Sequence, residues 1–467
     1  MPAADAFLAD LPAEVVRTDP ADLAPHLTDW RGAKTGDAIA LLLPRDTADV
    51  EAIVRAANRH GVGLVPQGGN TGLVGGGVPE PADRQAQPVA ILSTRRLSAI
   101  EAIDPAGLSL VAGAGAILAD VHVAASRAGC RFPLSLGAKG SATLGGLVST
   151  NAGGTQVLRH GTMRALVLGL EAVLPDGSRL DQLSALRKDN SGYDLKQLLI
   201  GAEGTLGIVT RVAVRLAPAM AEQATAWVGL ADTAAALRLL ERLRAALGER
   251  VESFELISPE ALDVVLAHAP GLRAPLAGRH GAHVLVEVEA SAARLSDLLA
   301  EALAGGVAED AVVAASVAQS QAFWHLRETI PEAEKREGGA VKNDIAVAVA
   351  DVPAFHAEAV DLFRRTHPGA RPLVFGHLGD GNLHWNLRPP PDAESKAWLS
   401  REGEEARRLL HDLVARHRGS ISAEHGIGTL KAGELARLAD PAKLAAMRAI
   451  KAALDPAGLM NPGKLVA

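Results

Sequence analysis

Two histidines late in the chain, His377 and His384, have a spacing that suits a divalent metal. The segment 374–387 predicts two strands joined by the Asp-Gly dipeptide at 380–381, the favoured two-residue hairpin turn. With that turn His377 stands opposite His384, with the Cβ atoms roughly 5 Å apart on one face. Asn386 shares the face because side chains alternate along a strand. Two imidazoles this close favour a metal site, and a hairpin with incidental histidines is the alternative.

A third metal ligand is offered by Glu424 or His425, which are neighbours in a short strand that runs into a glycine turn. Neighbouring side chains in a strand point to opposite sides. We therefore expect one of the two to bind metal and the other to face a substrate. Two histidines and one carboxylate leave coordination positions open, as catalytic sites require, and a zinc hydrolase is one function that would use them.

Two basic residues suggest recognition of a carboxylate. Arg327 follows the apolar face of a predicted helix, and Lys342 precedes a strand rich in Ala and Val. An arginine can hold a carboxylate through two parallel hydrogen bonds. Taken singly, each residue also fits a solvated surface charge.

The elements upstream of these residues contain dense glycine. Six of the ten residues from Gly68 to Gly77 are glycine, after a helix expected to be capped by Thr47 and a short strand at 63–65. Successive backbone N–H groups in such a loop can surround a phosphate. Similar patches follow at 134–154 and 188–209, and none has the spacing of a dinucleotide fingerprint or a P-loop. A nucleotide would therefore be held by several loops.

Length and composition place this chemistry in a multidomain protein. With 467 residues the chain is expected to form two or three domains. The net charge of −7 argues against a nucleic-acid partner. The single cysteine, Cys130, rules out an intramolecular disulfide and fits a reducing compartment. The acidic N-terminus argues against a signal peptide, and no apolar run reaches the roughly 18 residues needed to span a bilayer, so neither feature is expected. We expect a cytoplasmic location, with peripheral docking at the inner face of the membrane as an open alternative.

The character of the sequence changes near residue 220. Beyond it, helical periodicity at 233–247, 291–304 and 404–417 alternates with strand patterns at 251–256 and 283–289. This mixture predicts an α+β second domain. The predicted domains are 1–220, which carries the glycine patches, 221–415, and a helical C-terminal segment, 416–467, that returns to the first domain.

Taken together and in order, six segments resemble the flavin-linked D-2-hydroxyacid dehydrogenases of the vanillyl-alcohol-oxidase type. That family includes D-2-hydroxyglutarate dehydrogenase, FAD-linked D-lactate dehydrogenase and the glycolate oxidase flavoprotein subunit. The resemblance extends from about residue 35 to the end and implies a PCMH-type FAD-binding domain with an α+β substrate, or cap, domain. The segments are 66–77, 134–154, 188–209, 376–387, 423–428 and 461–464.

The family resemblance implies roles for individual residues. FAD would be bound non-covalently, because Asn70 stands where some relatives have a flavin-linked histidine. The implied metal, usually zinc, would be held by His377, His384 and Glu424, with His425 as the catalytic base. Asn386 would touch the substrate, and Arg327 and Lys342 would hold its carboxylates. The implied FAD contacts are Gly68, Gly69, Asn70, Thr71, Gly72, Thr143, Gly146, Asn151, Gly153, Gly154, Glu203, Gly204, Gly207 and Ile208.

The implied reaction is metal-assisted oxidation of a D-2-hydroxyacid to the 2-oxoacid, with D-2-hydroxyglutarate foremost and D-malate as a further substrate. Electrons would pass through FAD to an acceptor such as electron-transfer flavoprotein or a quinone, and a homodimer is expected. Pro331 departs from the family pattern, which has a hydroxyl side chain four residues after Arg327. D-lactate, D-malate and glycolate-type substrates therefore stay open. A non-catalytic flavin carrier, which would use the first domain and leave the metal set idle, is a separate alternative.

Overall fold

A computed structural model describes residues 2–466. The chain forms two compact units. The first unit comprises the residues up to Gly154, Gly161–Ala219 and the segment from Glu424 onward. The second unit comprises Thr155–His160 and Met220–Ala423.

The second unit takes two segments that the sequence assigned elsewhere. The predicted C-terminal segment begins at 416, but the chain stays with the second unit through Ala423. The reason is a backbone ladder in which Ala346 and Ser420 exchange hydrogen bonds of 2.9 and 2.8 Å. Thr155–His160 joins the same unit because Arg159 pairs with two of its carboxylates, those of Glu252 at 2.9 Å and Glu289 at 2.5 Å.

The first unit is built on three sheets, of four, five and two strands. The four-stranded sheet consists of Val16–Arg17, Leu41–Leu42, Val89–Ser93 and Gly63–Gln67 in spatial order. The five-stranded sheet consists of Ile100–Asp104, Ser109–Gly113, Ile208–Arg215, Val167–Val173 and Arg179–Gln182. The short ribbon pairs Ala217–Pro218 with Cys130–Arg131.

The helices of the first unit pack around these sheets. They are Pro2–Ala9, Pro20–Leu27, Thr47–His60, Leu118–Arg127, Leu144–Thr150, Met163–Leu166, Lys196–Leu199, Ala432–Leu438 and Pro441–Leu454.

The helix that precedes the first glycine patch is capped by a different residue from the one expected. Asp46 is the N-cap, and its carboxylate accepts from the backbone N–H of Asp49 at 2.9 Å. The prediction that Thr47 caps this helix is wrong, because its hydroxyl is buried and donates to Glu171 at 2.6 Å. The helix then ends at the left-handed Gly61, as its sequence predicts, and leads into the strand Gly63–Gln67.

The second unit is one seven-stranded sheet in which every neighbouring pair is antiparallel. In spatial order its strands are Asp310–Val313, Ala224–Leu230, Ala282–Val288, Val251–Ile257, Arg371–His377, Asn382–Arg388 and Asp344–Ala346. Its helices are Val157–His160, Thr233–Leu247, Pro259–His268, Ala292–Ala304, Val317–Arg336, Val352–Thr366 and Ser395–Arg416. The helix predicted at 404–417 thus begins earlier, at Ser395.

Both faces of the seven-stranded sheet are covered, and alternate residues of the strand Arg371–His377 enter different cores. Val374 belongs to one core, whereas Leu373 and Phe375 belong to the other. The second core is closed by the helices Pro259–His268 and Val317–Arg336. The polar side chains that surround His377 and His384 lie on this second face or on the helix Val317–Arg336, which covers that face.

Candidate functional site

In the first unit the glycine patches lie directly against one another. A Cβ atom added to Gly68 would stand 2.2 Å from Thr143 Oγ1, and one added to Gly69 would stand 1.9 Å from the carbonyl oxygen of Ser141. A Cβ on Gly204, which has φ +73°, would lie 2.9 Å from Pro66. Only glycine allows these approaches, so the three patches form one connected wall.

Parts of this wall face open space. A Cβ at Gly72, Gly137 or Gly140 would meet no atom within 4 Å, so no neighbouring group covers the backbone at these exposed glycines. Asn70 and Asn151 adopt left-handed backbone, with φ of 53° and 49°. Uncovered glycine backbone beside closely packed glycine loops suits the pyrophosphate of a nucleotide, and the arrangement therefore fits FAD.

Other predicted FAD contacts have a packing role within the unit. Asn151 Oδ1 accepts from the backbone N–H of Arg164 at 2.9 Å, and a Cβ on Gly154 would lie 2.1 Å from the carbonyl oxygen of Ser135. Ile208 is 1% exposed and begins a central strand next to Gly207. Whether these residues also touch FAD stays a prediction, as it does for Thr71, Gly146 and Gly153.

Glu203 has an inward-facing side chain. It is 8% exposed, and its carboxylate accepts hydrogen bonds from the backbone N–H groups of Ile427 and Gly428, each 2.7 Å long. Burial raises the pKa of the Glu203 carboxyl, and the two amide hydrogen bonds oppose that rise. The implied contact of Glu203 with FAD stays a prediction, whereas its carboxylate binds the backbone of Ile427 and Gly428.

In the second unit His377 and His384 meet, as the sequence predicts, but through a different turn. Leu378–Asp380 forms a 3₁₀ turn and Gly381 is left-handed with φ 82°, so the connection is longer than the predicted two-residue turn. His384 consequently pairs with Phe375 in the ladder. The register changes by two residues, which keeps both imidazoles on one face. Their ring centroids are 5.9 Å apart at an interplanar angle of 75°.

Glu255 connects His377 to a predicted substrate residue, and sequence reasoning missed it. It is fully buried directly opposite His377 in the sheet, and its Oε1 lies 2.6 Å from His377 Nδ1. Its Oε2 accepts from Arg327 Nε at 2.9 Å and lies 2.8 Å from Nη2. Burial would raise the pKa of Glu255, but His377 and Arg327 hold it below its ordinary value. An ionised Glu255 keeps the proton on Nδ1 and leaves Nε2 as the unprotonated ring nitrogen, the one that a metal would require.

Arg327 is buried, which excludes the alternative of a solvated surface charge. It is 7% exposed, and its guanidinium carbon lies 4.8 Å from the ring centre of Phe375. Glu255 already occupies Nε and Nη2. We therefore expect Arg327 to reach a ligand through Nη1 rather than through the two-bond fork that the sequence suggested.

A second buried carboxylate, also missed from sequence, holds the other two predicted substrate residues. Glu334 is fully buried, and its Oε2 lies 3.0 Å from Lys342 Nζ. Asn386 Nδ2 donates to both oxygens of Glu334, at 3.0 and 3.1 Å. The Lys342 side chain is 30% exposed, so its ammonium is accessible as well as paired.

The end of the cluster is formed by Asp344, which pairs with His384 in the ladder. Its carboxylate is buried, lies 4.0 Å from His384 Nδ1 and accepts from Asn382 Nδ2 at 2.9 Å. Thr329 donates its hydroxyl to the carbonyl of His325 in its own helix, 2.6 Å away. It therefore does not replace the hydroxyl that Pro331 lacks.

Sequence signals for the two missed glutamates exist but are weak. Glu255 is one of two acidic residues in the strand Val251–Ile257, every residue of which is buried. Glu334 follows Arg327 by two helical turns and shares its buried face. Glu424 and His425 belong to the first unit, and their roles as ligand and base stay predictions. Within residues 2–466, no helix is long and apolar enough to span a bilayer.

Comparison with known proteins identifies relatives of both units. Residues 219–465 match the family of FAD linked oxidases, C-terminal domain, and residues 38–181 match an FAD binding domain. A D-2-hydroxyglutarate dehydrogenase of Xanthomonas citri pv. viticola is 39% identical over 459 residues, covering 97% of this chain and 95% of that protein. The mitochondrial D-2-hydroxyglutarate dehydrogenase of Arabidopsis thaliana is 37% identical over 444 residues, covering 94% and 77%.

A solved structure shows the same fold. The crystal structure of p-cresol methylhydroxylase with substrate bound superimposes with a TM-score of 0.77 at 16% identity, covering 100% of this chain and 96% of that one. At this identity the likeness speaks for the fold alone. Together with the match of residues 38–181 to an FAD binding domain, it confirms the α+β architecture with a vanillyl-alcohol-oxidase-type FAD-binding domain that the resemblance implied.

Proposed function

The chain belongs to the FAD-linked oxidases, and on that premise we propose that it oxidises a D-2-hydroxyacid to the 2-oxoacid, with D-2-hydroxyglutarate as the foremost substrate. The protein is an FAD-linked oxidoreductase, and membership of this family sets aside the zinc hydrolase. The substrate class is supported by the names of relatives that align over nearly the whole chain.

The observation that carries the proposal is the histidine pair flanked by two cation–carboxylate pairs whose carboxylates are buried. Arg327 with Glu255 and Lys342 with Glu334 place two cations on one face of the sheet. A 2-hydroxydicarboxylate carries two negative groups that two such cations can hold.

The charge of this cluster also favours a divalent metal. Its three buried carboxylates, Glu255, Glu334 and Asp344, outnumber its two cations, so with neutral imidazoles the set carries one negative charge. Together with the carboxylate of Glu424, a proposed ligand, the set carries two negative charges, and a divalent cation neutralises them, so that an anionic substrate is no longer repelled. We propose that His377, His384 and Glu424 hold this ion, with zinc as the first candidate.

The residues of the chain then have distinct tasks in the reaction. Arg327 and Lys342 orient the substrate carboxylates, and Asn386 is fixed beside them by Glu334. His425 removes the proton of the substrate hydroxyl, since an imidazole changes its protonation near neutral pH. FAD, when bound along the glycine patches, supplies the hydride acceptor. The metal, when bound, supplies Lewis-acid polarisation of the hydroxyl.

The protein also needs an electron acceptor to reoxidise its flavin. We propose reoxidation by an external acceptor such as electron-transfer flavoprotein or a quinone, a homodimeric assembly, and a cytoplasmic location. The excess of acidic over basic residues leaves a nucleic-acid partner without support.

Anaerobic titration of the purified flavoprotein tests the reaction. D-2-hydroxyglutarate, D-malate, D-lactate and glycolate are added separately, and bleaching of the visible flavin band is followed. We expect D-2-hydroxyglutarate to bleach the band fastest. If none of the four bleaches a flavin that dithionite reduces, the enzymatic proposal is wrong and a flavin carrier is favoured.

Two further measurements separate the roles of base and metal. His425→Asn should keep bound FAD and lose most of kcat, roughly 100-fold or more, while His268→Asn, at the C-terminal end of the helix Pro259–His268, should behave as the wild type. Removal of the metal by a chelator should suppress turnover, and readdition of Zn²⁺, Mn²⁺ or Fe²⁺ should restore it. Full activity after verified metal loss would contradict the metal role.

A further inference from the structure

The side chain of Glu203 binds the backbone of a turn, which is a role other than contact with a cofactor. Its carboxylate receives the backbone N–H groups of Ile427 and Gly428, at 2.7 Å each. These amides belong to the turn that follows His425 immediately in the chain, and Gly426 and Gly428 adopt positive φ of 79° and 51°. Glu203 itself is strained, with φ 53°. The backbone at Glu203 is therefore constrained, and both oxygens of its carboxylate bond to the same turn. This arrangement holds the turn in place.

The same turn is joined to the first glycine patch. The carbonyl of Val74 accepts from the backbone N–H of Thr429 at 3.0 Å, and a Cβ added to Gly428 would stand 2.2 Å from that carbonyl oxygen. A Cβ added to Gly76 would lie 3.3 Å from Glu203 Oε2. The patch, the glutamate and the turn after His425 therefore pack without intervening side chains.

A fourth segment closes the group. Asn461 donates through Nδ2 to the carbonyls of Gly76, at 3.0 Å, and of Glu203, at 2.6 Å. Asn461 is 2% exposed and has φ 45°, so it is as constrained as the residues it holds. Four distant parts of the sequence thus share one hydrogen-bonded cluster in the first unit.

The chemistry of position 203 favours an anchor. Burying a carboxylate is unfavourable unless hydrogen bonds replace its water, and charge-assisted bonds to backbone N–H groups are roughly twice as strong as neutral ones. A neutral side chain would satisfy one amide and would present a donor to the other. The negative charge therefore gives the turn a rigidity that a glutamine cannot give.

We propose that Glu203 is the positioning residue that fixes His425 with respect to the glycine patch 68–77. This inference rests on the proposed function for the role of His425, although the anchoring itself does not. Loosening the turn moves the base while the flavin-binding wall keeps its own contacts. Turnover per bound flavin should then fall, and FAD content and KM should change little.

The test uses Glu203→Gln, Glu203→Asp and a matched control, Glu171→Gln. Glu171 is likewise buried in the first unit, where it accepts from Thr47 at 2.6 Å and from Thr210 at 2.8 Å, and it lies outside the anchored cluster. Each FAD-loaded variant is measured for hydrogen exchange at the amides of residues 427 and 428, for flavin content, and for kcat and KM.

Glu203→Gln is expected to expose both amides to faster exchange and to lower kcat per bound flavin roughly 10- to 100-fold. Glu203→Asp keeps the charge but is shorter by one methylene, so its amide exchange and its kcat should lie between those of Glu203→Gln and the wild type. If Glu203→Gln does not fold, Glu203→Asp still tests the proposal. Glu171→Gln should leave exchange at 427 and 428 unchanged.

The outcomes separate this inference from the proposed function. Unchanged exchange at 427 and 428 in both Glu203 variants would overturn the anchor, and loss of FAD with unchanged exchange would make Glu203 a cofactor ligand instead. Faster exchange with unchanged kcat per flavin would overturn the positioning of His425. If the wild type oxidises no hydroxyacid, the proposed function fails, while the exchange measurement still decides whether Glu203 anchors the turn.

Discussion

Nδ1 of His377 lies 2.6 Å from Oε1 of Glu255, and the two residues are direct partners across neighbouring strands. The carboxylate is fully buried and its second oxygen is held by Arg327. One glutamate thus sets the ring orientation of a predicted metal ligand and the position of a predicted substrate-binding cation. Such an arrangement would make the proposed metal binding and the proposed substrate binding depend on the same buried charge.

Replacing Glu255 by Gln should weaken metal binding roughly 10- to 100-fold, because partners behind a metal-bound histidine fix its tautomer and basicity. The affinity is measured by competition between the FAD-loaded protein and a chelator of known strength. Glu287→Gln is the control, since Glu287 is also buried in this sheet but bonds Trp324 at 3.0 Å. An unchanged affinity in Glu255→Gln would show that His377 needs no support from this carboxylate.

Replacing Glu334 by Gln should affect substrates according to their charge. Lys342 loses its buried partner, and the glutamine amide opposes the amide of Asn386. We expect KM for D-2-hydroxyglutarate to rise about 10-fold, which corresponds to about 1.4 kcal/mol. KM for D-lactate, which has a single carboxylate, should rise less. Equal increases for both acids would contradict a role of Lys342 in holding the second carboxylate.

Replacing Gly381 by Ala should destabilise the second unit. This residue has φ 82°, and a Cβ there would stand 2.0 Å from the carbonyl oxygen of Val347. The combination of left-handed backbone and a backbone clash is expected to lower the free energy of unfolding by roughly 2–4 kcal/mol. Gly403→Ala lies in the helix Ser395–Arg416 with only an ordinary contact of 3.5 Å, and it should be neutral or stabilising. Denaturant unfolding of the two variants gives the comparison, and equal midpoints would contradict the expected strain.

The pair of lysines around Glu80 predicts a pH-dependent part of the stability. Burial opposes ionisation of Glu80, but hydrogen bonds from Lys34 and Lys464 outweigh it and lower its pKa from 4.5 to about 2. A carboxyl with a depressed pKa in the folded protein adds stability above its unfolded value, and this stability is lost as the pH falls from 4.5 towards 2.

Glu80→Gln should therefore be less stable than the wild type at pH 7 and should approach it as the medium is acidified. Denaturation midpoints of both proteins at several pH values between neutrality and about 3.5 give the difference. A difference that stays constant across this range would show that Glu80 stabilises the protein through packing rather than through its charge.

The sequence by itself determined the local parts of the site. Closely spaced glycines allow tight turns and a close approach of the backbone to a ligand. The patches at 66–77 and 134–154 therefore indicated a nucleotide-binding site, independently of their position in the fold. His377 and His384 share a face because the strand period is two, and this holds even though the turn between them differs from the predicted one.

Only the tertiary structure decided which charges are buried together. Glu255 and Glu334 contact Arg327 and Lys342 across strands and between a helix and the sheet, and nothing in the local pattern of an acidic residue specifies its partner. Glu203 likewise contacts amides more than 200 positions away. Hydrophobic periodicity fixes which face of an element is buried, whereas the pairing of buried charges depends on the register between elements, which the packing of the whole unit sets.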